Sequence, residues 1–184
     1  MRSRLNFAAA VIAAFIAVFA TSIFTVDQRQ YAIIFQLGEV REVISEPGLY
    51  FKWPMIQNVR YFDSRILTLA TADPERFITS EKKNVLVDSF VKWRIVDPRL
   101  FYISVAGDEA RAKTRLSQTV NAGLREEFGK RTVHDVVSGE RDKIMEQMRA
   151  KADLDARKIG VQIVDVRVKR VDLPTEVSES VYRR

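Results

Sequence analysis

His134 is the only histidine in this chain, and there is no cysteine. Those two facts exclude most site chemistry before any fold is considered. A protein zinc site needs three or four His, Cys or carboxylate ligands, and a His-Glu-x-x-His pair is out of reach with one imidazole. Without thiols there is no thiolate nucleophile and no disulfide. A Ser-His-Asp triad would have to use His134, which stands in TVHDVV. No Gly-x-Ser-x-Gly elbow accompanies it, and the only Ser-Gly pair is Ser138-Gly139. A structural or surface role is the expectation for His134. A Ser–Lys dyad has one local candidate, Ser80 near Lys82 and Lys83. The surrounding SEKKN is a polar turn, where nothing desolvates an ammonium enough to make it a base.

Carboxylates are plentiful but lie beside Arg or Lys, as in LREEFGKR and GERDKIMEQMRAKADLDARK. That spacing gives solvated ion pairs on helix faces rather than acid–base partners. The seven glycines are scattered singly, so no loop cradles a phosphate. No catalytic residue, cofactor or metal site is therefore expected. The net charge of +6 comes from interleaved basic and acidic residues, so no nucleic acid partner is expected either.

The chemistry on offer is apolar. Leu49-Tyr50-Phe51-Lys52-Trp53-Pro54-Met55-Ile56 crowds aromatic rings around a lysine. Tyr50, Phe51, Lys52 and Trp53 have the make-up of a membrane-interface loop, with rings at headgroup level and the ammonium on phosphates. The plainer reading, favoured on composition, has these rings filling the core of a small β domain. Both hold if alternate residues point in and out.

The segment that would bring such a loop to a bilayer lies just upstream. Leu5 to Val26 contains no charged residue and shows no polar face. A bilayer core of about 30 Å needs about 20 apolar residues in a helix. A transmembrane helix over 5–26 is expected, with Leu5, Phe7, Val11, Ile12, Phe15, Ile16, Phe19, Ile23 and Phe24 as lipid-facing anchor residues. Val18-Phe19-Ala20 would suit a signal peptidase, but the apolar run outlasts a signal core of about 7–15 residues and continues past that cut. An uncleaved anchor is the better reading. Arg2 and Arg4 precede it, so residues 1–4 should be cytoplasmic and the bulk of the chain outside the cytoplasm, in a bacterium the periplasm.

Beyond the anchor the pattern changes twice. Gln30–Leu37 reads as a strand, Gly38 turns it into Glu39–Val43, and Glu46-Pro47-Gly48 forms a second turn. Val59–Phe62 and Ile66–Thr71 are further strands. In Val85–Val96, Val85, Val87, Val91, Trp93 and Ile95 share one face, and Asp97-Pro98 stops the strand. Ala112, Leu116, Val120, Leu124 and Phe128 then recur every four residues, predicting a helix over Glu109–Phe128 with Asp108 as N-cap and Gly129 just past its end. A second helix over Gly139–Ile159 carries a thin stripe of Ile144, Met148, Ala152 and Ile159, with Ser138 as cap and Gly160 as stop. Val161–Leu173 closes the pattern, and its change of parity after Ile163 predicts a bulge. The fold class is α+β, mainly antiparallel strands with two or more helices. The expected divisions are a β-rich part over 27–83, a strand-helix-helix-strand part over 84–174, and the start of a longer helix over 175–184.

Four stretches in this order resemble one family. EVISEPGLYFKWPMIQNVRYFDSR resembles the Pro-Gly-Leu … Phe-Asp-x-Arg signature of the SPFH (stomatin/prohibitin/flotillin, band 7) family. VDSFVKWRIVDP, RLSQTVNAGLREEFGKRTVHDVVSGERDKI and GVQIVDVRVKRVDLPTEVSESVYRR are similar to its later segments. The resemblance spans residues 20–184 and is strongest to a bacterial inner-membrane branch. It implies a single-pass, N-in membrane protein with a periplasmic band 7 domain. It further implies pairing with a homologous, HflK-like subunit in a large ring or cage, and regulation of an FtsH-like AAA+ protease by a scaffold that is not itself the peptidase. Family members continue into a long coiled-coil helix, which should be starting where this chain ends, at Arg184. Lateral packing would use the exposed helices; Arg125, Glu126, Arg141, Lys151, Arg157 and Tyr182 are the candidate subunit contacts.

Overall fold

The computed structural model describes residues 6, 12, 16, 19–70, 74–134 and 141–172. They form an α+β protein of antiparallel sheets and helices, dividing into two compact units between Arg65 and Ile66.

The first unit holds β1 (Ile23–Val26), β2 (Gln30–Gln36), β3 (Glu39–Ile44), β4 (Gly48–Phe51) and β5 (Gln57–Asp63). β2 is the centre of a β3-β2-β5 sheet, and β1 pairs with β4 as a separate ribbon. Ala32, Ile33, Ile34 and Phe35 are all buried, as a strand covered on both faces requires. Phe24, Val26, Ala32, Ile34 and Ile44 form one core cluster, with Tyr50 and Val59 packed against it. The Asp-x-Arg of the family signature is a local clamp. Asp63 Oδ1 accepts from the Arg65 backbone N–H at 2.8 Å, and both Asp63 oxygens accept from Arg65 Nε at 3.0 Å. Ser64 N–H donates to the Arg29 carbonyl at 2.9 Å, tying this corner to the β1–β2 turn. The Arg65 hydrogen bond holds the Asp63 carboxyl below its ordinary value.

The expected helix over 5–26 needs correction at its end. Residues 19–22 are helical, but Ile23–Val26 is strand β1. Its β-branched residues suit a pleated surface, and register with β4 turns Phe24 into the core rather than outward. Ile12, Ile16 and Phe19 are exposed helical residues. Leu5, Phe7, Val11 and Phe15 lie outside the described residues. Among the described residues, no helix is long and apolar enough to cross a membrane.

The second unit holds β6 (Leu67–Ala70), β7 (Glu75–Ile78), β8 (Asn84–Ile95), α1 (Pro98–Val105), α2 (Glu109–Gly129), α3 (Arg141–Arg157) and β9 (Val161–Asp172). β8 pairs antiparallel with β6, β7 and β9. Leu86, Val87 and Val91 each have two partners, so β9 takes one edge of β8 while β6 and β7 share the other. The predicted β8 face is buried throughout, with Ser89 joining it. The predicted α2 stripe is also buried, and Phe77 meets Phe128 edge-on at 5.5 Å. The β9 register skips at Val164, where the parity change predicts it, and again at Lys169.

Three local features depart from expectation. Asp97-Pro98 ends β8 but also starts α1: Asp97 Oδ1 accepts from Leu100 N–H at 2.9 Å, and Pro fits the first turn. Gly129 is the last residue of α2, and Lys130 caps it in the right-handed conformation. β7 is a strand in a stretch too polar to show one. Asp108 caps α2 as expected, accepting from Ala110 N–H at 2.8 Å. Ser138 and Leu173 lie outside the described residues.

Candidate interfacial site

The β1–β4 ribbon sorts the aromatic cluster by parity. Ile23 pairs with Phe51, Phe24 with Tyr50 and Thr25 with Leu49. Successive strand residues face opposite ways, so Phe24 and Tyr50 turn inward with ring centroids 6.0 Å apart. The Tyr50 hydroxyl donates to the Glu46 carbonyl at 3.0 Å. Ile23, Leu49 and Phe51 share the outer, exposed face.

Residues 52–56 extend that face. Pro54 interrupts strand pairing, and the chain closes a tight turn in which Gln57 N–H donates to the Trp53 carbonyl at 2.8 Å. Trp53 N–H in turn donates to Gln57 Oε1 at 2.8 Å. The Trp53 ring stands edge-on to Phe51 at 6.1 Å and is 62% exposed. Met55 is 93% exposed, and Ile56 is exposed beside it. Lys52 is half-buried, and its N–H donates to the Ser22 carbonyl at 2.7 Å. That bond joins the loop to the end of the N-terminal apolar run. At the other end of the loop, Leu37 N–H donates to the Ile56 carbonyl at 3.3 Å, so the β2–β3 turn abuts it. The outcome is an apolar edge at one end of the first unit, of a kind that marks contact with a partner or a membrane. Leu37 is the member that periodicity misses; its signal is a leucine where a tight hairpin prefers Asn or Asp.

The candidate subunit contacts lie in the second unit. Glu126 on α2 and Lys151 on α3 pair directly, and Lys130 Nζ joins Glu126 at 2.8 Å. The two ammonium groups hold the Glu126 carboxyl down to about 2 through hydrogen bonds, with Coulomb attraction adding to it. Arg157 pairs with Asp153 at 2.8 Å, while Arg125 is exposed. The Arg141 side chain and Tyr182 lie outside the described residues.

Of the residues with catalytic chemistry, Ser80 donates its backbone N–H to the Arg131 carbonyl at 3.0 Å, three residues before His134. The His134 side chain is exposed. Ser80 lies on the exposed turn after β7, where Lys83 is paired with Glu81 at 3.0 Å. Among the described residues no group of three or more His, Asp or Glu is placed to hold a metal ion.

A family model described as SPFH domain / Band 7 family matches residues 24–184. The chain is 41% identical to Protein HflC of Haemophilus influenzae, covering 95% of this chain and 62% of that protein. It is 34% identical to Protein HflC of Vibrio parahaemolyticus, over 92% of this chain and 63% of the relative. It is 31% identical to the Escherichia coli K12 protein named Modulator of FtsH protease HflC, over 95% of this chain and 66% of the relative. The chain thus spans a little under two thirds of the length of these curated relatives.

Proposed function

We propose a scaffold and regulatory role at a membrane for this chain, which belongs to the SPFH/band 7 family. In this reading the chain is HflC-like. It assembles with a homologous HflK-like subunit into a large hetero-oligomer and modulates an FtsH-like AAA+ protease, without being an enzyme itself. Support for the regulatory part comes from relatives named HflC, one of them a modulator of FtsH protease.

The observation that carries the membrane part is the outward row of Ile23, Leu49, Phe51, Trp53 and Met55, joined through Lys52 and Ser22 to an uncharged run. That run anchors the chain in the bacterial inner membrane, with the N-terminus cytoplasmic and both units in the periplasm. The exposed edge then lies on the lipid surface, with Lys52 at headgroup level. Arg125, Glu126, Arg141, Lys151, Arg157 and Tyr182 serve lateral packing between subunits.

The test is purification of the full-length protein from its native membrane in mild detergent, followed by sizing and mass spectrometry. A very large particle containing a homologous subunit and an AAA+ metalloprotease is the expected result. The exposed apolar edge also suits a second reading, a stomatin-like organiser of lipids without a protease partner. A small particle carrying lipid and no protease would replace the first reading with the second.

A further inference from the structure

We propose that the β2–β3 turn is a second lipid-inserting element, in which a strained backbone presents Leu37 to the acyl region beside Met55. This rests on the reading of the 49–56 edge as lipid-facing.

Gln36 pairs with Glu39, which leaves Leu37-Gly38 as a two-residue hairpin loop. Their φ angles are +52° and +93°. Positive φ at both central positions is the signature of a type I′ turn, whose first position favours Asn, Asp or Gly. Asn and Asp tolerate the left-handed region because a short polar side chain bonds locally. Leucine has no such compensation, and its Cβ crowds the following carbonyl.

Nor does packing offset the strain, because Leu37 is 84% exposed. A leucine that is both strained and unburied adds nothing to the stability of this unit. Its side chain acquires value only in an apolar surrounding, which the described residues do not provide.

The position of the turn identifies that surrounding. The Leu37–Ile56 backbone bond sets the turn against the loop carrying Trp53 and Met55. The Lys52–Ser22 bond sets the same loop against the end of the uncharged run, whose Ile12, Ile16 and Phe19 are exposed. The tip therefore lies at the end of the unit where the apolar run leaves it. Gln36 and Glu39 flank Leu37 and would stay among the headgroups while Leu37 passes beyond them.

The chain has no cysteine, so Leu37→Cys and Trp53→Cys each give one labelling site in the full chain. Each is labelled with an environment-sensitive nitrobenzoxadiazole and reconstituted into phosphatidylethanolamine/phosphatidylglycerol vesicles. Quenching by doxyl-labelled lipid is compared with quenching by aqueous iodide. The expected result is lipid quenching and iodide protection at both positions. Lipid quenching at 53 with iodide quenching at 37 overturns the turn's role and leaves the aromatic edge standing. Iodide quenching at both overturns both readings. Protection at 37 without lipid quenching means a second protein covers the tip, and the lipid assignment falls. A second measurement bears on the strain alone: Leu37→Asn should raise the thermal midpoint of the first unit by about 2–4 °C. A lowered midpoint would overturn the strain argument.

Discussion

At the scale of the residue, two positions have unequal consequences. Gly160 has φ +75°, and a Cβ there would lie 2.4 Å from the Asp97 carbonyl oxygen and 2.6 Å from Phe101 N. Both neighbours are backbone atoms that start α1, and Val96 and Asp97 both donate to the Gly160 carbonyl at 3.0 Å. Gly160→Ala therefore meets strain and overlap together, and should cost about 3 kcal/mol in denaturant unfolding of the second unit. Glu126 is the opposite case, an exposed carboxylate whose effect depends on pH. Its carboxyl is lowered from an ordinary 4.5 to about 2 by Lys130 and Lys151. A depressed carboxylate contributes stability above its unfolded value, and that contribution fades as pH falls from 4.5 towards 2. Lys151→Met should move the Glu126 carboxyl upward, read by its 13C shift against pH. Added salt should shrink the shift in the parent protein, because the groups are in water.

At the scale of the element, β1 matters most. Its residues continue the apolar run, yet four register pairs join it to β4 and carry Phe24 against Tyr50. Deleting residues 1–26 should expose the inner face of β4 and abolish cooperative unfolding of the first unit. Deleting only 1–18 should preserve it. Hydrogen exchange at Ala32–Phe35 separates the two outcomes, since β2 lies at the centre of the sheet. The helices and long strands were legible in the sequence because each has a repeating one-sided pattern. Val85 to Ile95 alternate, Ala112 to Phe128 recur every fourth residue, and Asp108 caps at the expected place. β1 was hidden because an uncharged run obeys no period. α1 was hidden because Pro98, read as a stop, is equally suited to a first helical turn.

At the scale of the whole molecule, the two tryptophans report on different regions. Trp93 is fully buried in the second unit, and Trp53 is exposed on the first. In a chain lacking residues 1–18, anionic vesicles should shift Trp53 emission to the blue while Trp93 stays unchanged. Trp93→Phe isolates that signal. Phe51→Ser with Trp53→Ser should weaken vesicle co-sedimentation of the same chain by about tenfold or more, since two large rings lose their burial. Unchanged co-sedimentation would place those rings outside the lipid contact. Assembly is a separate property, since its candidate residues, such as Arg125 and Arg157, lie on helices of the second unit.

Composition and periodicity by themselves determined the α+β class, most strands, both long helices, and a chain with no thiol and one imidazole. Those properties are local, because each depends on residue type or on spacing within one element. The direction of each ring in Tyr50-Phe51-Lys52-Trp53 was left open by the sequence, which allowed core and surface alike. Only the tertiary structure decided it. The β1–β4 register turns Tyr50 in and Phe51 out, and hydrogen bonds from Lys52 and Leu37 bring Ser22, near the end of the apolar run, and the hairpin tip to the same loop. Such a surface depends on which distant segments pair, and pairing partners leave no periodic mark on either segment.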